Sequence, residues 1–298
     1  MREIYWGDSR IKRASNGGDG EIVYRDGEPF YKISNYQKML PFFMSVVSGT
    51  EHWMFLSSSG GLTCGRRNPD NALFPYYTDD KIHDANWTTG SKTALLVEKE
   101  GRVYLWKPFI KGVAAYSLQR NLYKNFLGTR LIYEEVNQDL SLAFSYCWSS
   151  SDRFGFVKES RIRNLDDAAC EIEVLDGLVN VLPYGVTRQM QTELSTLLDA
   201  YKQAELVPEL TVGIYSLSSI LTDRAEPCEA LQATVVWSRG LDEAKVLLSE
   251  AQLETFCNGG AISTENLSRG RRGAFFVQSA FSLAPALEKS WHILADIN

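Results

Sequence analysis

Hydrophobic positions along this chain recur mostly at a period of two. The clearest run is Leu140, Leu142, Phe144, Tyr146 and Trp148, alternating with Ser141, Ala143, Ser145 and Cys147, which is the spacing of a strand with one face in a core. The large side chains make a thick core row, and the small opposite face suits close approach by another layer or a half-exposed groove. Short apolar runs at 44–48, 51–57 and 62–65, broken by Gly49 and by Ser58-Ser59-Gly60-Gly61, predict a Gly-punctuated β meander. Runs at 94–97 and 102–106 flank Glu98-Lys99-Glu100-Gly101, a hairpin signature. Within residues 1–40 an initial hairpin pairs 21–24 with 30–34, its Asp26-Gly27 suited to positive φ, and Tyr5-Trp6 adds a short edge strand. Further strands are expected at 116–122, 131–136, 154–163, 170–176, 210–221, 229–237, 245–248, 273–283 and 290–295. Asn164-Leu165-Asp166-Asp167 reads as a turn whose side chains bond their own backbone.

Two segments change period. Met190, Leu194, Leu197, Leu198 and Tyr201 share one helical face, which predicts an amphipathic helix over 187–205, ended before Pro208. Ser249-Glu250-Ala251-Gln252 fits a capping box, so a shorter helix is expected over 250–257, stopped by Gly259-Gly260. The expectation is an all-β fold with minor helix: one two-sheet domain over 1–298, its sandwich occupying 41–298.

Between the meander and the hairpin the chain changes character. From Arg66 to Trp87 come Arg67, Asn68, Asn71, Tyr76, Tyr77, Asp79, Asp80, His83 and Trp87, a density of planar polar and aromatic groups too high for a simple connection. Amides, carboxylates and guanidiniums pair with vicinal hydroxyls, while tyrosine and tryptophan faces cover the C–H side of a pyranose. These nine residues are the candidate substrate-binding set for a sugar. Adjacent acids such as Asp79-Asp80 and Asp166-Asp167 are common in turns, and their adjacency does not establish the facing geometry of a glycosidase. His83 is open to ligand contact or to loop hydrogen bonding; His52 and His292, each beside a tryptophan in a strand, read as structural.

The segment Asn71-Ala72-Leu73-Phe74-Pro75-Tyr76-Tyr77-Thr78-Asp79 resembles the Asn-x-Leu-x-Pro-aromatic-x-x-Asp segment in the N-terminal β domain of the cellobiose and chitobiose phosphorylases, glycoside hydrolase family 94. The preceding meander and the following hairpin with Trp106-Lys107-Pro108 resemble that region in order and spacing. The resemblance implies a β supersandwich of the galactose-mutarotase type, followed by an (α/α)6 barrel that carries catalysis and is absent from this chain, so that the chain reads as a fragment. It also implies a β-linked oligosaccharide as ligand, a homodimer, and inorganic phosphate as co-substrate if the parent is a phosphorylase. Cys64, Phe74 and Tyr77 depart from the family pattern, which leaves the sugar open.

Composition narrows the alternatives. Thirty-one basic and 37 acidic side chains give a net charge of −6, with no basic stripe interleaved with aromatics, which argues against a nucleic-acid partner. Five cysteines lack CxxC spacing and read as reduced thiols. No apolar leader or membrane-spanning run appears, so a cytoplasmic protein without membrane association is expected. With three histidines and no HExxH, GxSxG, Walker A or GxGxxG signature, neither a resident metal nor a nucleotide cofactor is expected, and no catalytic residue is assigned. Arg269-Gly270-Arg271-Arg272-Gly273 suits an anion, though a turn with solvated arginines is the commoner use. The leading expectation is a non-catalytic carbohydrate-binding or assembly domain of a β-glycoside phosphorylase or hydrolase. The alternatives are a free-standing aldose-epimerase-like sandwich, for which His83 is the candidate, and an assembly module without sugar contact.

Overall fold

The computed structural model describes residues 18–77, 79–110, 115–219 and 232–297, and the backbone alone at 5–6, 9–10 and 79–80. The fold is an all-β sandwich with few helices. An 11-stranded antiparallel sheet runs in the order Leu267–Arg269, Lys202–Val207, Val212–Leu217, Thr234–Arg239, Glu288–Ile297, Gly155–Asn164, Leu142–Ser151, Leu131–Asn137, Leu118–Asn125, Glu28–Ser34 and Gly20–Arg25. A five-stranded sheet, Arg102–Trp106, Gly90–Lys99, Cys170–Val181, Gly273–Leu283 and Lys245–Leu247, packs on it. A four-stranded meander of Phe43–Val46, His52–Ser57, Leu62–Arg66 and Ala72–Phe74 joins the same core. It is tied to both larger sheets, by Tyr133 Oη donating to the Ser57 carbonyl at 2.7 Å and the Leu182 N–H to the Leu73 carbonyl at 2.9 Å.

The alternating run behaves as its period requires. Leu142, Phe144, Tyr146 and Trp148 are buried in the shared core together with Trp106 and Trp291, each such side chain contributing about 2–3 kcal/mol relative to exposure. The initial hairpin also forms, with Asp26 and Gly27 at φ 51° and 80°. Tyr5–Trp6 pairs with Ser9–Arg10 as a short ribbon. Asn16 and Gly17 of the expected loop, the ends of the 210–221 and 229–237 segments, and Cys228 lie outside the described residues.

The helices differ from expectation. The segment expected as one helix over 187–205 is two short ones, Arg188–Glu193 and Ser195–Tyr201, followed by the strand Lys202–Val207. The Thr192 hydroxyl bonds back to the carbonyls of Arg188 and Gln189 at 3.2 and 3.0 Å, a contact that competes with the helical ladder. Beyond Tyr201 the alternating burial of Lys202, Ala204 and Leu206 prevails, because pairing with Val212–Leu217 buries that face. The second helix is Leu253–Cys257. Its expected capping box is replaced by bonds to the following loop: Ser249 Oγ and Gln252 Nε2 both donate to Glu265 Oε1. Gly259, at φ 75°, does end it. Among the described residues no helix is long and apolar enough to cross a membrane.

Candidate functional site

The polar aromatic segment leaves the meander at Arg66 and returns to the five-stranded sheet at Gly90, and much of it is spent on holding its own shape. Arg67, in the left-handed region at φ 61°, pairs with Glu51 at 2.7 Å on the surface. Asn68 Oδ1 accepts from the Asp70 N–H at 3.0 Å and from Asn71 Nδ2 at 3.1 Å, capping the short turn Pro69–Asn71. Asp70 in turn accepts the Arg188 N–H at 2.8 Å. Tyr76 is exposed, with its ring edge-on to Trp53 at 5.9 Å and its N–H toward Gln191 Oε1. Tyr77 Oη meets Thr89 Oγ1 at 2.8 Å, and Asn180 Nδ2 donates to the same hydroxyl at 3.0 Å. Asp79 and Asp80 open the helical turn Asp79–Ile82. His83 Nδ1 lies 2.7 Å from Ser57 Oγ, and Ser59 Oγ donates to the His83 carbonyl at 2.7 Å.

The candidate residues therefore do not converge. Arg67 and Tyr76 pack toward Glu51, Trp53 and the helix at 188–193, Asn68 and Asn71 close their own turn, and Tyr77 bonds Thr89; a second approach brings His83 and Trp87 to the Ser57–Gly61 turn. Gly61 makes the second approach possible: a Cβ there would lie 2.0 Å from the Ile82 carbonyl oxygen.

That approach frames a cavity of about 300 Å³, at the lower end of the range for small-molecule sites. Trp87, 54% exposed, stands at its edge, and Pro108, Phe109, Ile110, Leu253 and Phe276 supply apolar wall. Ser59, Asn86, Ser91, Lys92 and Lys107 supply polar groups. Asn86 Oδ1 and Ser91 Oγ are buried and have no hydrogen-bond partner among the described residues. Buried polar atoms in that state are rare, and each costs roughly 1–3 kcal/mol unless something pairs with it. Lys92 pairs with Glu250 at the rim.

One wall is held by a buried carboxylate. Glu135 accepts from Trp106 Nε1 at 2.8 Å, from the Phe109 N–H at 2.9 Å and from Arg120 Nε at 2.6 Å. Arg120 also donates to the Ile110 carbonyl at 2.7 Å. The strap 107–110 is thus fixed over Tyr146, whose ring meets Phe109 edge-on at 5.2 Å and stacks on Tyr133 at 4.9 Å. Burial holds the Tyr146 phenol well above the usual range. Behind the cavity, Thr93 donates to Asp176, which also accepts from Lys158, Ser160 and Trp291 at 2.6–2.7 Å. Burial pulls the Lys158 ammonium below its ordinary range while Asp176 opposes the shift. Both groups are fully engaged between the sheets, and what the cavity offers a ligand is an aromatic plate, apolar contact and a few polar side chains.

Of the nine residues expected from the sequence, Trp87 lines this cavity. Asn86, Ser91, Lys92 and Lys107 were not in that set, although Asn86 adjoins Trp87 and Lys107 follows Trp106 in segments already singled out. The Arg269–Gly273 cluster forms a turn, with Arg269 Nε on Gln203 at 2.9 Å and Arg272 Nε 3.6 Å from Asp199. Among the described residues no group of three or more His, Cys, Asp or Glu side chains is arranged to hold a metal ion.

Compared with known protein families and with curated proteins, the sequence matches none. Solved structures do match. A polysaccharide lyase is similar at 12% identity over 86% of this chain and 32% of that one, with a TM-score of 0.41. A bacterial glucoamylase complexed with acarbose is similar at 8% identity over 95% and 36%, with a TM-score of 0.39. The 4-alpha-glucanotransferase from Thermococcus litoralis is similar at 9% identity over 94% and 40%, with a TM-score of 0.34. This chain spans 32–40% of the length of these three proteins.

Proposed function

We propose that this chain is a non-catalytic carbohydrate-binding β domain of a carbohydrate-active enzyme, and that the cavity beside Trp87 receives one sugar unit. The observation that carries this reading is a half-exposed indole standing beside the polar residues Ser59, Asn86, Ser91, Lys92 and Lys107 in one apolar-walled cavity. A pyranose offers the complement, hydroxyls that donate and accept along its edge and a C–H face that stacks on an aromatic ring. The resemblance of 71–79 to the phosphorylase family supports the finer form of the proposal: a parent acting on β-linked oligosaccharides by phosphorolysis or hydrolysis in a separate (α/α)6 barrel, with a second copy of the chain as partner. In that form Tyr76 and Asp79 belong to a sugar site formed with the barrel.

Calorimetric titration with cellobiose and chitobiose tests the binding role. Trp87→Ala and Asn86→Ala are expected to weaken binding by about 5- to 30-fold, the equivalent of roughly 1–2 kcal/mol for a lost stacking or hydrogen-bonding contact, with Trp87→Ala leaving the melting temperature unchanged. Equal affinity in wild type and both variants would refute the cavity as the binding site, and absence of binding in wild type would point to an assembly module without sugar contact. Release of a sugar 1-phosphate by this chain alone, incubated with the disaccharides and phosphate, would overturn the non-catalytic assignment.

A further inference from the structure

The strand Leu142–Ser151 has a second face. While Tyr146 borders the cavity on the inside, Ala143, Ser145 and Cys147 turn outward, and the neighbouring strands present long polar side chains on the same outer face. A row of small residues between rows of long ones makes a trough. Its volume is about 310 Å³, and Arg25, Asp26, Glu134, Ser145, Arg161 and Arg163 line it. A smaller recess of about 40 Å³ shares Arg25, Asp26, Ser145 and Arg161 and adds Arg130 and Glu159.

The lining groups are held in fixed planes. Arg25 lies over the Tyr123 ring at 4.3 Å and donates Nη2 to Glu134 Oε2 at 2.9 Å. The other oxygen of Glu134 accepts from Asn121 Nδ2 at 2.9 Å and Tyr123 Oη at 2.6 Å. Burial pushes the Glu134 pKa up, but the bonds from Tyr123 and Asn121 and the Arg25 charge outweigh it, and the net shift is downward. Arg161 is braced by Glu159 at 2.9 Å and Glu288 at 3.0 Å. Arg25 Nη1 is buried and has no hydrogen-bond partner among the described residues.

Charge selects the ligand class. Three guanidiniums (Arg25, Arg161, Arg163) face three carboxylates (Asp26, Glu134, Glu288) across the larger volume, so neither an anion nor a cation meets a net field of opposite sign. A neutral polyol does find complementary groups, because each of its hydroxyls donates to a carboxylate and accepts from a guanidinium. We propose that this outer trough is a second saccharide subsite, taking a neutral sugar unit and separated from the Trp87 cavity by the thickness of one sheet.

The test titrates the full chain with cellobiose, chitobiose, maltose and lactose, and with a glucuronate-containing disaccharide, in wild type, Trp87→Ala, Trp87→Ala/Ser145→Trp and Trp87→Ala/Arg163→Ala. Trp87→Ala, in which the cavity event is weakened, is expected to retain a second binding event at wild-type affinity for at least one neutral disaccharide. Ser145→Trp, which fills the trough, is expected to abolish it, and Arg163→Ala to weaken it at least fivefold. Arg163 is exposed, so the second variant decides the matter should the tryptophan substitution fail to fold by circular dichroism. Absence of any event in Trp87→Ala, or an event that neither trough substitution changes, overturns the proposal without touching the cavity reading. A tenfold preference for the glucuronate overturns the neutral ligand class. Loss of sugar binding in the trough variants alone, with Trp87→Ala matching wild type, supports the trough while refuting the cavity.

Discussion

Asp176 accepts four hydrogen bonds, from Lys158, Ser160, Thr93 and Trp291, in a volume otherwise filled by aliphatic and aromatic side chains. Taking two charges out of water is costly, and such a pair is best tested by breaking it and by replacing it whole. Asp176→Ala leaves a buried ammonium without its counter-charge, and a loss of about 3–5 kcal/mol in urea unfolding is expected. Adding Lys158→Met removes the orphaned charge and is expected to restore most of that loss; a double variant no more stable than the single one would show that the loss arises elsewhere. Nothing in the sequence marks this cluster. Asp176 before Gly177 reads as the end of a strand, yet the strand continues to Val181 because partners remote in sequence neutralise the carboxylate. Trp87, by contrast, stood out locally, since it follows a polar run with no strand or helix period.

The segment between Arg66 and Gly90 shows how an element can be legible as special while the roles of its members are not. Its polar density identifies more than a connection, but Asn68, Tyr77 and His83 engage groups within the chain, and of these partners only those of Asn68 are near in sequence. The close pass of Gly61 beneath Ile82 sets where Trp87 stands. Gly61→Ala is therefore expected to cost about 1–3 kcal/mol, the range for overpacking a fitted contact, and to weaken saccharide binding at the cavity with the trough unaffected. Differential scanning calorimetry and titration of the same variant check both parts; unchanged melting and affinity would show that the loop is not positioned by this contact. Along Leu142–Ser151 the alternation of faces was legible, but Leu140 and Ser141 of the expected run belong to the preceding turn, and the sequence left open whether the small row meets another layer or a groove. The arginines and acids that border it come from other strands, and only pairing brings them together. The helix expected over 187–205 failed for the complementary reason: its apolar spacing fits a helix, but strand pairing claims the last residues.

At the scale of the molecule, three sheets contribute to one apolar cluster, with Trp106 from the five-stranded sheet and Trp148 and Trp291 from the large one. A core shared in this way predicts a single unfolding transition, with far-UV circular dichroism and tryptophan fluorescence giving the same midpoint in urea. Separate midpoints would identify the meander or another sheet as an independent unit. The all-β class was readable from the period of two, whereas the way the sheets align was not, because strand patterns are silent about neighbours on another layer. Here the Asp176 cluster has a consequence for alignment. Side chains on a strand alternate between faces, so a slip of Cys170–Val181 by one residue would turn the carboxylate away and bring Leu175 or Gly177 toward Lys158, Ser160 and Trp291. Four donors, three of them buried, would lose their acceptor at once. A misaligned sandwich with equally good apolar burial is thus set apart from the native one by a single acid, which makes Asp176 an indexing mark between the two layers.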